Sequence, residues 1–489
     1  VTVPPLLALL ASRTVPTAGA GPDEAARAVG SLSVRPALLP TTGPALLGLL
    51  DGDGSSATLA ASTLVDTLAA SEGVPDFFMQ KAAPAVLVRT SAALASSDKA
   101  ALELLPLCAR LYRLVCVRSG TEDQGAVVAA VLSACEAVTG LTLVLCETVC
   151  QCRPEVSLPV DKVRTALLAS ALAPQDTALE GSDIAVCPLS ACQAVGSLAN
   201  KLPEADAAAL VAQVCSLAGG VAPPPSGTPV LQAAALLLWT ARGLVARGHP
   251  LASELLGDVC GSIASASKGP RELEWATAVS RRFGDLACDS ELALSRANFA
   301  KVSMLYKQRV FLQTLPLLTE GYTGASSEVQ SLYLCALAVL VPHVPHTAVL
   351  SESSRVLPLL IQALRLPSPP PGLTLAAVTS LLEFIPDAEP RDPPPADEAA
   401  CTEIGKLLGQ HLPSLVPALL SGSVCKGSLK TRCAAIECIR RLPHSVPYHK
   451  MFPHKNEVLN ALLRPLDDNK RVVRKAAATC RNEWFLLCG

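Results

Sequence analysis

The stretch NALLRPLDDNKRVVRKAAATCRNEWFLL, Asn460 to Leu487, decides the fold. It reads as the end of an apolar helix, a polar turn carrying Asp468, and a second helix. In that second helix Val473, Ala476, Ala477, Cys480, Trp484 and Leu487 recur at steps of three and four, or one within a pair. That spacing makes one apolar face, the mark of a helix packed on a core. Asp468, just before the helix, suits its orphan backbone N–H groups and the positive end of its dipole. The spacing places Arg474 near the seam with a neighbouring repeat, within reach of a turn aspartate.

The same unit recurs upstream. Segments LPLL (Leu315 to Leu318), LPLL (Leu357 to Leu360) and VPALL (Val416 to Leu420) each lead through a polar turn into a second apolar run. Those runs are EVQSLYLCALAVL, LTLAAVTSLLEFI and LKTRCAAIECIRRL. Taking Leu315, Leu357, Val416 and Asn460 as markers, the spacings are 42, 59 and 44 residues. Two of these fall in the range of HEAT and armadillo repeats, about 40–47 residues. The long one carries a Pro- and Asp-rich insert, 386–395 (PDAEPRDPPP), which reads as a loop.

The first half is less regular. Pro44 to Leu50 before the DGDG turn at Asp51 to Gly54, Leu102 to Val117, Ile184 to Leu202 and Ala207 to Leu217 look like repeat helices. Stretches rich in Pro, Gly or Ser, namely Thr14 to Pro22, Gly220 to Pro229 and Pro367 to Gly372, read as linkers. The expected organisation is irregular helical repeats over 1–219, a Pro-rich linker over 220–229, and a C-terminal HEAT-repeat domain over 230–489. The predicted fold is an all-α, HEAT/armadillo-like right-handed α-solenoid with no sheet.

Composition agrees. The chain has 489 residues, more than one compact core accommodates, and only 3% are aromatic. That mix suits small, closely packed helices better than strands. The formal net charge of −2 argues against a general nucleic-acid binder. Apolar runs are short of a membrane span: Val230 to Ala241 stops at Arg242, and Val329 to Val341 stops at Pro342. Both read as buried helices, so no membrane association is expected. No charged n-region followed by an apolar h-region opens the chain, so no secretory signal is expected. The chain begins at Val1, and a fragment of a longer protein is expected. Eighteen scattered cysteines, many in Ala/Leu-rich runs, read as buried thiols of a reducing compartment, cytosol or nucleus.

Catalytic motifs are missing: no Gly-rich phosphate loop, no G-x-S-x-G elbow, no H-E-x-x-H. A non-catalytic protein is expected. The histidine pairs of PHVPH and PHSVPYHK lie in Pro-rich turns, where exposed, unpartnered imidazoles are expected. The tightest cysteine group, Cys146, Cys150 and Cys152, lacks a fourth ligand nearby, so burial is favoured over a metal and no cofactor is expected.

Two basic stretches qualify as interaction sites. Arg471, Arg474, Lys475 and Arg481 fall largely on one side of the last helix. A solvated face with one ladder pairing and a docking face for an acidic partner both fit. In Lys301 to Phe311 (KVSMLYKQRVF), Lys307 and Arg309 interleave with Tyr306 and Phe311. Interface anchors and core packing both fit there.

The ending DDNKRVVRKAA…EWFLL, with AALLLWTARGLVARGHPL (Ala234 to Leu251) and MLYKQRVFLQTLPLLTEGY (Met304 to Tyr322), resembles the C-terminal half of the methyl-methanesulfonate-sensitivity-nineteen HEAT-repeat family. The resemblance is strong over about 230–489 and vague before. It implies an adaptor of the cytosolic iron–sulfur assembly (CIA) targeting complex, present in cytoplasm and nucleus. Its C-terminal repeats are expected to dock the MIP-eighteen family subunit, which also holds a WD40 propeller subunit. Its clients are expected to be apo iron–sulfur enzymes of DNA replication and repair: helicases, polymerases, primase. Two other classes stay open: a transport-receptor-like solenoid binding cargo, and a cluster carrier built on the Cys146 group.

Overall fold

The computed structural model describes residues 39–173, 187–290, 292–385 and 402–487. Every regular element among the described residues is a helix, and none of them forms a strand. The Pro/Asp insert 386–395 and the Thr14 to Pro22 linker lie outside the described residues.

The chain divides into two compact units. Unit 1 comprises 1–218, 225–251 and 290–303; unit 2 comprises 219–224, 252–289 and 304–489. The segment read as a linker, 220–229, is thus shared between them. The helix after it, read as the start of the C-terminal domain, belongs to unit 1.

Unit 1 holds α1 (Leu39–Leu50), α2 (Gly54–Ala70), α3 (Ala83–Ala95), α4 (Ala100–Arg118), α5 (Thr121–Ala137), α6 (Thr142–Cys150), α7 (Val160–Ala171), α8 (Cys187–Lys201), α9 (Glu204–Ala218) and α10 (Val230–Arg247). Alternate helices stack in a row: α2 on α4, α4 on α6, α6 on α8, α8 on α10. This is how a repeat that cannot bury its own apolar face buries it on the next one. The row is tightest where α8 meets α10. A Cβ at Gly196 or Gly243 would strike the backbone of the facing helix, so only glycine permits that approach. By length and composition α10 could cross a membrane, yet it is buried along Ala233 to Ala246 as a core helix. It runs straight through Arg242, where the sequence suggested a stop. Arg242 is itself buried, its guanidinium 4.4 Å from the Trp239 ring centroid. Asn200 clasps 290–303 to this unit: its side chain donates to Lys301 O at 3.0 Å and accepts from Lys301 N at 2.8 Å.

Unit 2 holds α11 (Leu251–Ala264), α12 (Pro270–Arg282), α13 (Tyr306–Gly324), α14 (Ser327–Leu340), α15 (His346–Ser351), α16 (Ser353–Leu364), α17 (Leu373–Leu382), α18 (Glu403–Ser423), α19 (Leu429–Arg441), α20 (Tyr448–Ala461), α21 (Leu463–Leu466) and α22 (Arg471–Leu486). The second helices of the four repeats read from the sequence are α14, α17, α19 and α22, stacked in that order. The first helices are α13, α16, α18 and α20–α21, and they carry the prolines Pro316, Pro358, Pro417 and Pro465 of the quoted segments. A proline there removes one i→i−4 bond, a cost that packing must offset. Side chains cap helix starts: Thr402 accepts from Gly405 N and Ser428 from Thr431 N, each at 3.1 Å.

The turn histidines follow expectation only in part. His346 lies 2.7 Å from Glu383 O, and the His444 side chain is buried, 3.9 Å from Glu483. Packing of the last repeats encloses the His444 side chain, whereas His346 and His449 stand exposed as their Pro-rich turns suggest.

Candidate docking surface on the final repeat

Helix α22 is divided sharply. Val473, Ala477, Cys480 and Trp484 are fully buried against the preceding repeat, and Trp484 Nε1 donates to Ile439 O of α19 at 2.9 Å. Ala476 is half-buried at the flank. Asp468 accepts from Lys470 N at 2.8 Å, closing the turn just before α22, and no side chain caps the helix itself.

The cross-repeat partner of Asp468 is Arg432 of α19, at 2.8 Å. Arg432 also donates to Cys425 O at 2.9 Å. The seam role expected of Arg474 therefore belongs to Arg432. Arg474 folds back on its own turn, donating to Asp468 O at 2.6 Å. The reason is placement: Arg432 leaves the first turn of α19 beside the Asp468 turn, whereas Arg474 points to the exposed side of α22.

The basic stripe consequently separates into roles. Arg481 is half-buried and donates to Leu459 O at 3.3 Å, tying α22 to the end of α20. Arg471 and Lys475 stand exposed. On the same outward side, Val472, Phe485 and Leu486 are each 63% exposed. Nearby elements of the repeat add exposed Phe452 and Leu463. An exposed apolar group flanked by cations, with a rigid core beneath, has the make-up of an interface anchor patch. The apolar part was missed in the sequence, though Phe485 and Leu486 fall off the three-and-four spacing of the core face.

Beneath the patch runs an ion network. Arg440 and Arg441 both reach Glu437, at 2.6 and 2.7 Å, and Arg440 reaches Glu483 at 3.5 Å. Hydrogen bonds from Arg440 and then Arg441 hold the Glu437 carboxyl down to about 2, against the opposing effect of burial. Burial instead raises Glu483.

The second basic stretch lies differently. Tyr306 and Phe311 are buried on α13, Lys307 pairs with Asp289 at 2.7 Å, and Arg309 is exposed. The aromatic residues are core, and the exposed apolar residues are instead Met304 and Leu305 just before α13. The structure thus does not assemble 301–311 as interleaved aromatic and basic anchors.

Cys146, Cys150 and Cys152 are all buried. Among the described residues no group of three His, Cys, Asp or Glu side chains is arranged to hold a metal ion. Cys116, unremarked in the sequence, lies 3.8 Å from Cys152.

The architecture is that of a HEAT-type α-solenoid. The karyopherin Kap121p, solved bound to Nup53p, is similar in fold at a TM-score of 0.50 and 14% identity, covering 98% of this chain and 45% of that one. A profile described as "RNAPII transcription regulator C-terminal" (MMS19_C) matches residues 26–443, and the chain belongs to that family. The match starts well before the segment where the resemblance was strong and stops short of α22. The Xenopus laevis protein named "MMS19 nucleotide excision repair protein homolog" is 31% identical over 301 residues, 61% of this chain and 26% of that protein. The human protein of the same name is 33% identical over 263 residues, 54% of this chain and 23% of that protein. The aligned part thus spans about a quarter of these relatives' length, and their names place them in nucleotide excision repair.

Proposed function

We propose that this chain is a non-catalytic scaffold segment of the cytosolic iron–sulfur assembly targeting complex, acting in cytoplasm and nucleus. Its final repeat docks the MIP-eighteen family subunit and, through it, the WD40 propeller subunit. The assembly recruits apo iron–sulfur helicases, polymerases and primase, without direct contact to nucleic acid or membrane. The observation that carries the reading is the outward side of α22, where Arg471 and Lys475 flank Val472, Phe485 and Leu486 on a rigidly packed helix. Arginine and aromatic groups so placed anchor a partner with an acidic rim.

The test is pull-down of the MIP-eighteen subunit by an Arg471→Glu, Lys475→Glu double variant. Neither side chain packs in the core, so the melting temperature should hold while binding weakens by about 2 kcal/mol or more if the charges are desolvated. Arg474 and Arg481 are left intact because each holds a backbone carbonyl. A Phe485→Asp variant probes the apolar part. Undiminished binding by both variants, at low and at physiological salt, moves the docking site off the final repeat.

A further inference from the structure

Unit 1 contains a buried group that the scaffold role leaves unused. Cys116, near the end of α4, and Cys152, two residues past α6, bring their sulfurs to 3.8 Å. Both are buried, and both reach Thr148 O, at 3.5 and 3.4 Å. Beside them Lys201, the last residue of α8, is only 7% exposed and donates to Cys150 O at 2.7 Å. The groups that act electrostatically on this lysine are the thiols of Cys150, Cys152 and Cys116, not a carboxylate. A buried ammonium needs a compensating anion or it loses its proton. Burial lowers the Lys201 pKa, and the neighbouring thiols, as thiolates, oppose that shift.

We infer that Cys116 and Cys152 form a peroxide-responsive thiol pair, with Lys201 holding the reactive thiolate, and that oxidation closes a disulfide between α4 and the turn after α6. Cys152 is the attacking sulfur: the S–H of Cys116 and the Lys201 ammonium both lower its pKa against the opposing effect of burial. Three other buried thiols of this unit, Cys108, Cys135 and Cys150, are pushed up to about 12 by burial and stay protonated. Cys152 passes its proton to Lys201. The thiolate then attacks a peroxide oxygen: the S–O bond forms, the O–O bond breaks, and the departing hydroxide takes the proton from Lys201 and leaves as water. Cys116 next attacks the sulfenic sulfur; the S–S bond forms, the S–O bond breaks, and a second water leaves with the Cys116 proton. Two thiols and one peroxide become one disulfide and two waters. Cys152 is only 1% exposed, so peroxide, little larger than water, must enter through the turn that carries exposed Glu155.

The test is on the reduced full chain, dosed with hydrogen peroxide, alkylated, and digested without reductant for mass spectrometry. The expected result is a peptide linking Cys116 to Cys152, formed at least tenfold faster than oxidation of Cys108 or Cys135 in the same sample. Cys116→Ser should instead accumulate sulfenic or sulfinic acid at Cys152. Lys201→Met should slow disulfide formation at least tenfold, and so should Lys201→Arg, which keeps a cation but cannot take up the Cys152 proton. Should Lys201→Met fail to fold, the internal comparison with Cys108 and Cys135 decides in the unaltered chain. Oxidation of Cys116 and Cys152 no faster than those two thiols, or a disulfide to another cysteine, overturns the inference.

Discussion

A single buried carboxylate shows how position overrides residue type. Glu147 faces the interior between α4 and α6, where burial raises its pKa to about 7 despite Arg113 at 3.9 Å. Its charged form is therefore disfavoured in the folded state. The sign follows from linkage. Above the folded pKa the native state bears the cost of burying the charge, and that cost disappears as pH falls from about 7 towards the ordinary carboxylate value. A Glu147→Gln variant should melt higher than the parent at about pH 8, with the gap closing by about pH 5. Melting curves across that range check it, and a variant that melts lower at both ends contradicts it. Glu437 has the opposite sign. Its carboxyl is depressed to about 2 by Arg440 and Arg441, so its contribution is present above the ordinary value and fades on acidification below it.

At the scale of the element, the recurring device is a cation that reaches the carbonyls ending a helix in the neighbouring repeat. Arg89 donates to Leu50 O at 3.0 Å beyond α1. Arg118 spans Leu68 O, Ala69 O and Ser71 O at the end of α2. Arg247 takes Asn200 O and Leu202 O after α8, Lys201 takes Cys150 O after α6, and Arg481 takes Leu459 O near the end of α20. The last carbonyls of a helix lack intrahelical donors and carry the negative end of its dipole, so a cation there satisfies both. Replacing Arg118 with Met, which keeps most of the packing stem, should destabilise unit 1 by about 2 kcal/mol. Urea denaturation is the measurement. A change below a few tenths of that value would show that water serves the α2 carbonyls equally well.

For the whole molecule, stability in stacked repeats is the sum of neighbour contacts, so damage stays local. In unit 2 each helix of the row α14, α17, α19, α22 packs on the next. Trp484 closes the end of that row, fully buried under Ile439. Truncation to Ala should remove about 3–5 kcal/mol of local stability. Hydrogen exchange should then rise over α20 to α22 and on α19, while α13 and α14 keep the protection of the parent chain. Uniform loss of protection across unit 2 would mean that it unfolds as one cooperative block.

What the sequence alone determined is the class of structure and the second half's pairs of helices. The reason is that a face repeated every three or four residues, with a capped turn between two such runs, is a local pattern with one good solution. The core assignment of Trp484, Val473 and Cys480 and the place of Asp468 in the turn were legible for the same reason. The unit boundary was not, because Asn200 clasps Lys301 from 101 residues away and no local signal marks that bond. The partner of Asp468 was not legible either: Arg432 and Arg474 are equally basic, and only the stacking of α19 against the last turn decided between them. The meeting of Cys116, Cys152 and Lys201 required three helices to converge, so each residue read by itself was merely a buried thiol or a surface cation.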